Sequence, residues 1–279
     1  MTAPLPDVAG AASPLARAVL TGPPREGLVL AALPAALYLS VGAHHEVLPV
    51  VASDALMLPT ATRLSTPGRD IVWGVEPGDT VMVGRSAIQL PSWQVRLVRE
   101  WRPARVGGVT QLAAPGLSSE LAELLSHHVR APGLMDRASV VCSAARGGDD
   151  AAVRQGVGRL LGAGPGLTPS GDDALCAVLL VLGEAEEAEA AALLGAAVQE
   201  LWSRTTSLSA SLLDAARRGY AAPEVVTLVG RALRGDLPGT REAIASTLAI
   251  GHSSGADLVA GLAGALRVLA GPCSLIPAC

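Results

Sequence analysis

The chain has 279 residues, half of them apolar, and a net charge of −4, enough for one large domain or two modest ones with a sizeable core. The negative balance and the lack of any basic run exclude non-specific nucleic-acid binding. All positive charge is arginine, and without lysine neither Schiff-base chemistry nor a lysine-bearing phosphate loop is available.

Residues 1–24, rich in Pro, Ala and Gly and poor in periodicity, read as a loose N-terminal arm. They lack a charged start followed by an unbroken apolar run, so no signal peptide is expected. No apolar stretch long enough and free enough of Gly, Pro and charge to span a bilayer follows either. The expectation is a soluble cytoplasmic protein.

Residues 25–115 read as a β-rich domain. Short runs such as GLVLAAL, LYLSVG, EVLPVVAS, IVWGV, TVMVG, SAIQL and QVRLVREW are of strand length, and Gly, Pro, Asp and Ser separate them. VEPGDTVMVG reads as strand, Pro-Gly-Asp turn, strand. A small, mostly antiparallel barrel or sandwich is predicted, with Trp73, Trp93 and Trp101 as core or domain-interface residues.

Residues 116–279 read as an α-helical domain. The spacing predicts helices over 118–131, 149–161, 172–182, 185–203, 206–218, 223–234, 240–250 and 254–269. Gly219, Gly235 and Gly251 stand where C-terminal glycines belong, and Pro223 suits a first helical position. The acidic run GEAEEAEA at 183–190 reads as a solvated helix face. The fold class is therefore α+β, with β-rich and all-α parts in succession and not a doubly wound sheet.

The cysteines Cys142, Cys176, Cys273 and Cys279 form no CxxC pair, which argues against a zinc cluster or a disulfide framework. Cys176 falls in an apolar run, as a small core residue would. The pairs His44–His45 and His127–His128 are adjacent residues whose side chains diverge, so neither is a ready-made metal clamp.

Three helix starts carry the candidate chemistry. In GAGPGLTPSGDDAL (162–175), Gly164 and Gly166 allow close approach of backbone to a ligand, and Thr168 or Ser170 can cap the helix. Exposed first-turn amides would attract an anion, yet Asp172 and Asp173 already place negative charge there. A divalent cation such as Mg²⁺, held by the carboxylates and itself holding phosphate, would reconcile the two. A capped helix with acidic first-turn residues explains the spacing without any ligand.

An internal echo strengthens the motif. PSGDDALCAVLLVL and SSGADLVAGLAGAL share Ser-Gly-x-Asp before an apolar helix, so that Ser170, Gly171 and Asp173 match Ser254, Gly255 and Asp257. Each Ser-x-x-Asp can form a capping box. His252 and Ser253 precede the second copy, and a neutral imidazole there would serve as a base or a backbone-bonded loop residue. Between the copies, TTSLSASLL puts Thr205, Thr206 and Ser209 within about 100° on a helical wheel. That stripe would line a polar pocket or bond to neighbouring carbonyls.

GAGPGLTPSGDDAL, TTSLSASLLDAARRGY and IGHSSGADLVAGL, in this order, resemble the AllH-type family of bacterial proteins over about residues 155–270. Its best-described member is a subunit of the oxamate carbamoyltransferase that phosphorolyses oxalurate to oxamate and carbamoyl phosphate. The resemblance implies that Gly164, Gly166, Thr168, Ser170, Gly171, Asp172, Asp173, Thr205, Ser209, His252, Ser253, Ser254, Gly255 and Asp257 belong to one site. It implies an enzyme or catalytic subunit that uses a small carbamoyl or amide carboxylate and phosphate. The starts at Ser170 and Ser254 would hold the phosphate-like anion. Asp172, Asp173 and Asp257 would hold Mg²⁺ or orient the carbamoyl nitrogen, and His252 would move a proton. Two alternatives stand beside this. A loose motif-level similarity to ADP-ribosylglycohydrolases suggests a metal-dependent hydrolase. The apolar composition also suits a non-catalytic subunit that binds a small ligand or docks on an acyl-CoA-synthetase-like protein, and a homo-oligomer is a separate expectation.

Overall fold

The computed structural model describes residues 5–271; Cys273 and Cys279 lie outside the described residues. The chain divides between Ala104 and Arg105 into two compact units.

The first unit is a closed eight-stranded barrel. Its strands are β1 (Asp7–Ala12), β2 (Arg25–Leu33), β3 (Ala36–Ser40), β4 (Val47–Val51), β5 (Thr62–Leu64), β6 (Thr80–Gly84), β7 (Ala87–Gln89) and β8 (Gln94–Glu100). They run around the barrel in the order β1-β5-β4-β3-β2-β6-β7-β8. Closure leaves no free sheet edge. Most pairs are antiparallel, but β1 with β8 and β4 with β5 are parallel, so the barrel is not purely antiparallel. Inward residues alternate along β2, where Gly27, Val29 and Ala31 are buried and Glu26 and Leu28 are not. Val29, Leu37, Leu39, Val50, Val83, Ile88 and Val95 fill the interior. Leu20, from the short helix α1 (Arg17–Thr21), joins that core.

Two expectations need correction here. The first 24 residues are not a loose arm throughout, because β1 pairs on both sides and closes the barrel. Its Val-Ala-Gly-Ala-Ala run is too weak in β-branched residues to announce a strand, and the pairing comes from β5 and β8. The run at 71–75 forms no strand. Val72 is 80% exposed, and Gly74 lies in the left-handed region at φ 68°. Trp73 is instead buried in the barrel core, stacks on Trp93 at 5.9 Å, and donates its indole N–H to the Leu33 carbonyl at 2.7 Å.

The second unit is helical: α2 (Pro115–Ser126), α3 (Pro132–Arg146), α4 (Asp150–Leu160), α5 (Ser170–Glu184), α6 (Ala188–Glu200), α7 (Ser207–Arg217), α8 (Pro223–Leu233), α9 (Leu237–Leu248) and α10 (Ser254–Ala270). α3 was not foreseen, because Gly133, Asp136, Ser139 and Ser143 dilute its apolar stripe; Leu134, Ala138, Val141, Cys142 and Ala145 nevertheless form a buried face. Pro223 starts α8, and Gly219, Gly235 and Gly251 follow α7, α8 and α9 with positive φ, as the sequence predicts. The acidic run is not a plain solvated face. Glu186 turns the chain at φ 58°, and Glu187 pairs with Arg146 at 2.9 Å.

α5 and α10 form the centre of this unit. Every residue from Gly171 to Leu182 and from Gly255 to Leu266 is buried. A helix apolar on all sides belongs inside a protein, and these two lie close enough that a Cβ on Gly261 would stand 2.3 Å from the Ala174 carbonyl oxygen. Among the described residues no helix is long and apolar enough to cross a membrane.

Candidate active site at three helix starts

α5 begins after the loop 161–169, and α10 begins after the loop 249–253. The two starts are built alike. A Cβ on Gly171 would sit 1.9 Å from the Leu160 carbonyl oxygen, and one on Gly255 would sit 2.0 Å from that of Thr247. Each glycine lets its helix start press onto the end of the preceding helix. Gly171 donates its amide to Ala163, and Gly255 donates to Ile250.

The expected capping boxes do not form. Pro169 and Ser253 occupy the cap positions, and neither makes a side-chain cap bond. Ser170 and Ser254 already lie inside the helices. The reason is visible in the amides, which carbonyls have taken: Asp172 and Asp173 donate to Pro169, and Asp257 donates to Ser253. The acidic side chains are thereby free to reach away from their own helix starts. The same bonds make these starts poor anion cradles.

The third start, α7, does cap itself. Thr206 accepts from the Ser209 amide at 3.1 Å and donates to the Leu167 carbonyl at 2.5 Å. Thr205 donates to the Asp172 carboxylate. Asp172 also accepts the Gly162 amide at 2.8 Å. The Thr168 and Ser254 hydroxyls meet at 2.9 Å. Loop 161–169 is therefore tied to both α7 and α10, and the three starts converge.

Inside the convergence lie three carboxyl groups. Asp172, Asp173 and Asp257 are 1%, 5% and 6% exposed. Burial pushes the Asp172 carboxyl up, against the Thr205 hydroxyl, the Gly162 amide and the Ser209 hydroxyl, which draw it down. The Ser209 group acts on it without the geometry of a full hydrogen bond. Asp173 is pushed well above the ordinary carboxylate range. Burial is the main cause; the charges of Asp257 and Asp172 add to it, and the Ser254 and Thr168 hydroxyls oppose it. Oδ2 of Asp173, Oδ2 of Asp257 and Oγ of Ser209 are buried without a hydrogen-bond partner. Native proteins seldom leave such atoms unsatisfied, and where they do a functional reason is worth seeking.

The carboxylates do not fit a resident metal. Among the described residues no group of three or more His, Cys, Asp or Glu side chains could hold an ion. Both oxygens of Asp172 are engaged, one by the Gly162 amide and one by the Thr205 hydroxyl. Cys176, beneath them, is pushed well up by burial and by Asp173 and Asp172, so it is an inert core thiol.

Other expected residues lie further out. Gly164 packs on Ser170, while Gly166 is exposed with open space around it. Ser253 is half-buried and His252 is exposed; the His252 carbonyl accepts from Arg130 Nη1 at 3.5 Å. Arg130 and Gly162 were not foreseen. Gly162, at φ 75°, could have been suspected as the glycine just past a helix, but nothing in the sequence ties Arg130 to His252. An open groove of about 630 Å³ between α2 and α9, with Glu120, Glu123, His127 and Arg241 in its walls, shares no residue with this cluster.

No solved structure matches this chain. The resemblance read from the three motifs does hold: residues 160–266, from the end of α4 into α10 and including Asp172, Asp173, Thr205, Ser209, Ser254 and Asp257, match the family described as oxamate carbamoyltransferase subunit AllH.

Proposed function

We propose that the helical unit carries the site of a carbamoyl transferase, acting on a small amide carboxylate with carbamoyl phosphate or, in reverse, with phosphate. One observation carries this reading. The residues that converge as a buried, partly unsatisfied polar cluster all lie in the stretch that matches the AllH family.

The chemistry needs few groups. As the amide nitrogen attacks the carbamoyl carbon, a C–N bond forms and the C–O bond to phosphate breaks. Phosphate leaves with the electron pair, and the nitrogen loses one proton. A buried carboxylate beside the nitrogen can position it and receive that proton. A neutral carboxyl beside it can donate a hydrogen bond, a role open to acids whose site keeps them protonated. Asp257 and Asp173 suit these parts. Asp172, Thr205 and Ser209 support the floor of the site, and Thr168 and Ser254 hold the loop over it. His252, on the exposed loop just before Ser254, would pass the proton to solvent. Phosphate would sit outside the acidic cluster, near the glycine loop and Arg130. The word "subunit" in the family description supports a partner protein.

The test is a purified assay of oxamate with carbamoyl phosphate, read as phosphate release, for the chain alone and with its co-purifying partner. Asp173→Asn should lose activity by about a hundredfold or more while remaining folded. Full activity of that folded variant would remove Asp173 from the reaction.

A further inference from the structure

The groove between α2 and α9 stands apart from the acidic cluster and has a chemistry of its own. The two helices run side by side in one direction. They touch near their starts, where a Cβ on Gly235, just before α9, would stand 2.4 Å from Leu117 Cδ2. Beyond their far ends Arg130 donates to the His252 carbonyl. Between these contacts the helices part, and the gap of about 630 Å³ falls within the roughly 300–1,000 Å³ of small-molecule sites. Its walls carry opposite charge. Glu120 and Glu123, three residues apart on α2, present two carboxylates on one face. Arg241 stands on the α9 side, and the half-buried Leu124 and Leu237 add apolar lining. The ion pairs of this region are Glu123 with His127 at 3.7 Å and Arg231 with Asp236 and Glu242. Among the described residues Glu120 and Arg241 belong to none.

We propose that this groove is a second ligand site and takes a small zwitterion: a free α-amino acid with an apolar side chain, or a short peptide of such residues. The ammonium group would donate to Glu120 and Glu123, and the carboxylate would take the planar fork of Arg241. The apolar side chain would lie on Leu124 and Leu237, out of water. Charge decides the class. A plain anion that reaches Arg241 also meets two carboxylates, and a plain cation on the carboxylates leaves the guanidinium against it. A ligand with both signs pairs with both walls. A metal ion does not fit, because among the described residues no group of three or more His, Cys, Asp or Glu side chains could hold one. The assignment is independent of the transferase reading, since the groove shares no residue with the acidic cluster.

The experiment titrates the full chain calorimetrically at neutral pH with L-leucine and with L-leucyl-L-leucine, each beside its N-acetyl and its C-terminal amide form. Acetylation removes the ammonium charge and amidation removes the carboxylate, while both keep the side chains. At least one zwitterion should bind, and at least about tenfold more tightly than either of its singly charged forms. Tighter binding of leucine assigns the groove to free amino acids, and tighter binding of the dipeptide assigns it to peptides. In Arg241→Gln the preference over the amide form should fall towards one, and in Glu120→Gln the preference over the acetylated form should do so. Both side chains are exposed, so both variants should fold, which circular dichroism checks. Binding of neither zwitterion, singly charged forms that bind as tightly, or preferences that persist in both variants would overturn the assignment.

Discussion

Asp172 and Asp173 are neighbours in one helical turn with opposite surroundings. The first accepts two hydrogen bonds; the second keeps an orphaned oxygen beside another carboxylate. Their substitutions should therefore move stability in opposite directions. Asp172→Ala strands the Gly162 amide and should cost about 2 kcal/mol. Asp173→Asn replaces a buried carboxyl that resists ionising and offers an N–H to Asp257, and should stabilise the fold by about 1 kcal/mol. The second effect depends on pH. In the unfolded chain Asp173 titrates near its ordinary 3.8, whereas in the folded chain it keeps its proton to higher pH. As pH rises from about 4, the unfolded state ionises first, so the wild type loses stability until the folded carboxyl also ionises. The gap between variant and wild type should thus widen from pH 4 upward and then level off. Urea melts at several pH values would show it, and a gap that narrows with rising pH would contradict the placement of Asp173.

At the scale of the element, the two Ser-Gly-x-Asp starts are a structural repeat built on glycine and not on capping. A methyl group at Gly171 or Gly255 would press on a carbonyl oxygen of the preceding helix. Gly183, inside α5, has nothing within reach of an added Cβ and is exposed. Gly171→Ala and Gly255→Ala should each destabilise by about 2–4 kcal/mol. Gly183→Ala should stabilise by about 0.5–1 kcal/mol through helix propensity alone. Thermal melts of the three variants make the comparison, and a harmless Gly171→Ala would deny the close approach. The echo in the sequence was a true guide to where the elements begin, because apolar periodicity and a glycine before an acidic turn are local signals. It misled about the bonding. Whether a serine caps its own helix depends on what the amides meet, and here Pro169 and Ser253 carbonyls reach them first. In the same way β1 was illegible, since its pairing with β5 and β8 is made by residues far along the chain. The convergence of Asp173 with Ser254 and Asp257 is equally non-local and was reachable only through the family resemblance.

For the whole molecule, the boundary between Ala104 and Arg105 falls earlier than the one drawn from composition at 115. The difference lies in the extended segment that precedes α2. It has no helical pattern, so the sequence leaves it with the strands. The structure ties it to the helices: Arg105 bridges to Tyr220, the Val106 amide donates to Gly219 at 2.9 Å, and the Ala113 amide donates to Leu233 at 2.8 Å. Val106 is buried, and the Arg105 guanidinium stands 5.7 Å above the Tyr220 ring. Each unit has its own apolar interior, as an independently folding domain requires. A fragment of residues 105–279 should therefore fold alone, with helical circular dichroism and one cooperative melt. A fragment of residues 116–279 discards the buried Val106 and the backbone bonds of the strap, a loss of about 2 kcal/mol. Its midpoint should lie about 4–8 °C lower. Because the acidic cluster is contained in the longer fragment, oxamate should bind to it as tightly as to the full chain. Failure of 105–279 to melt cooperatively would show that the helices need the barrel to fold. Equal midpoints for the two fragments would show that the strap adds nothing and return the boundary to residue 115.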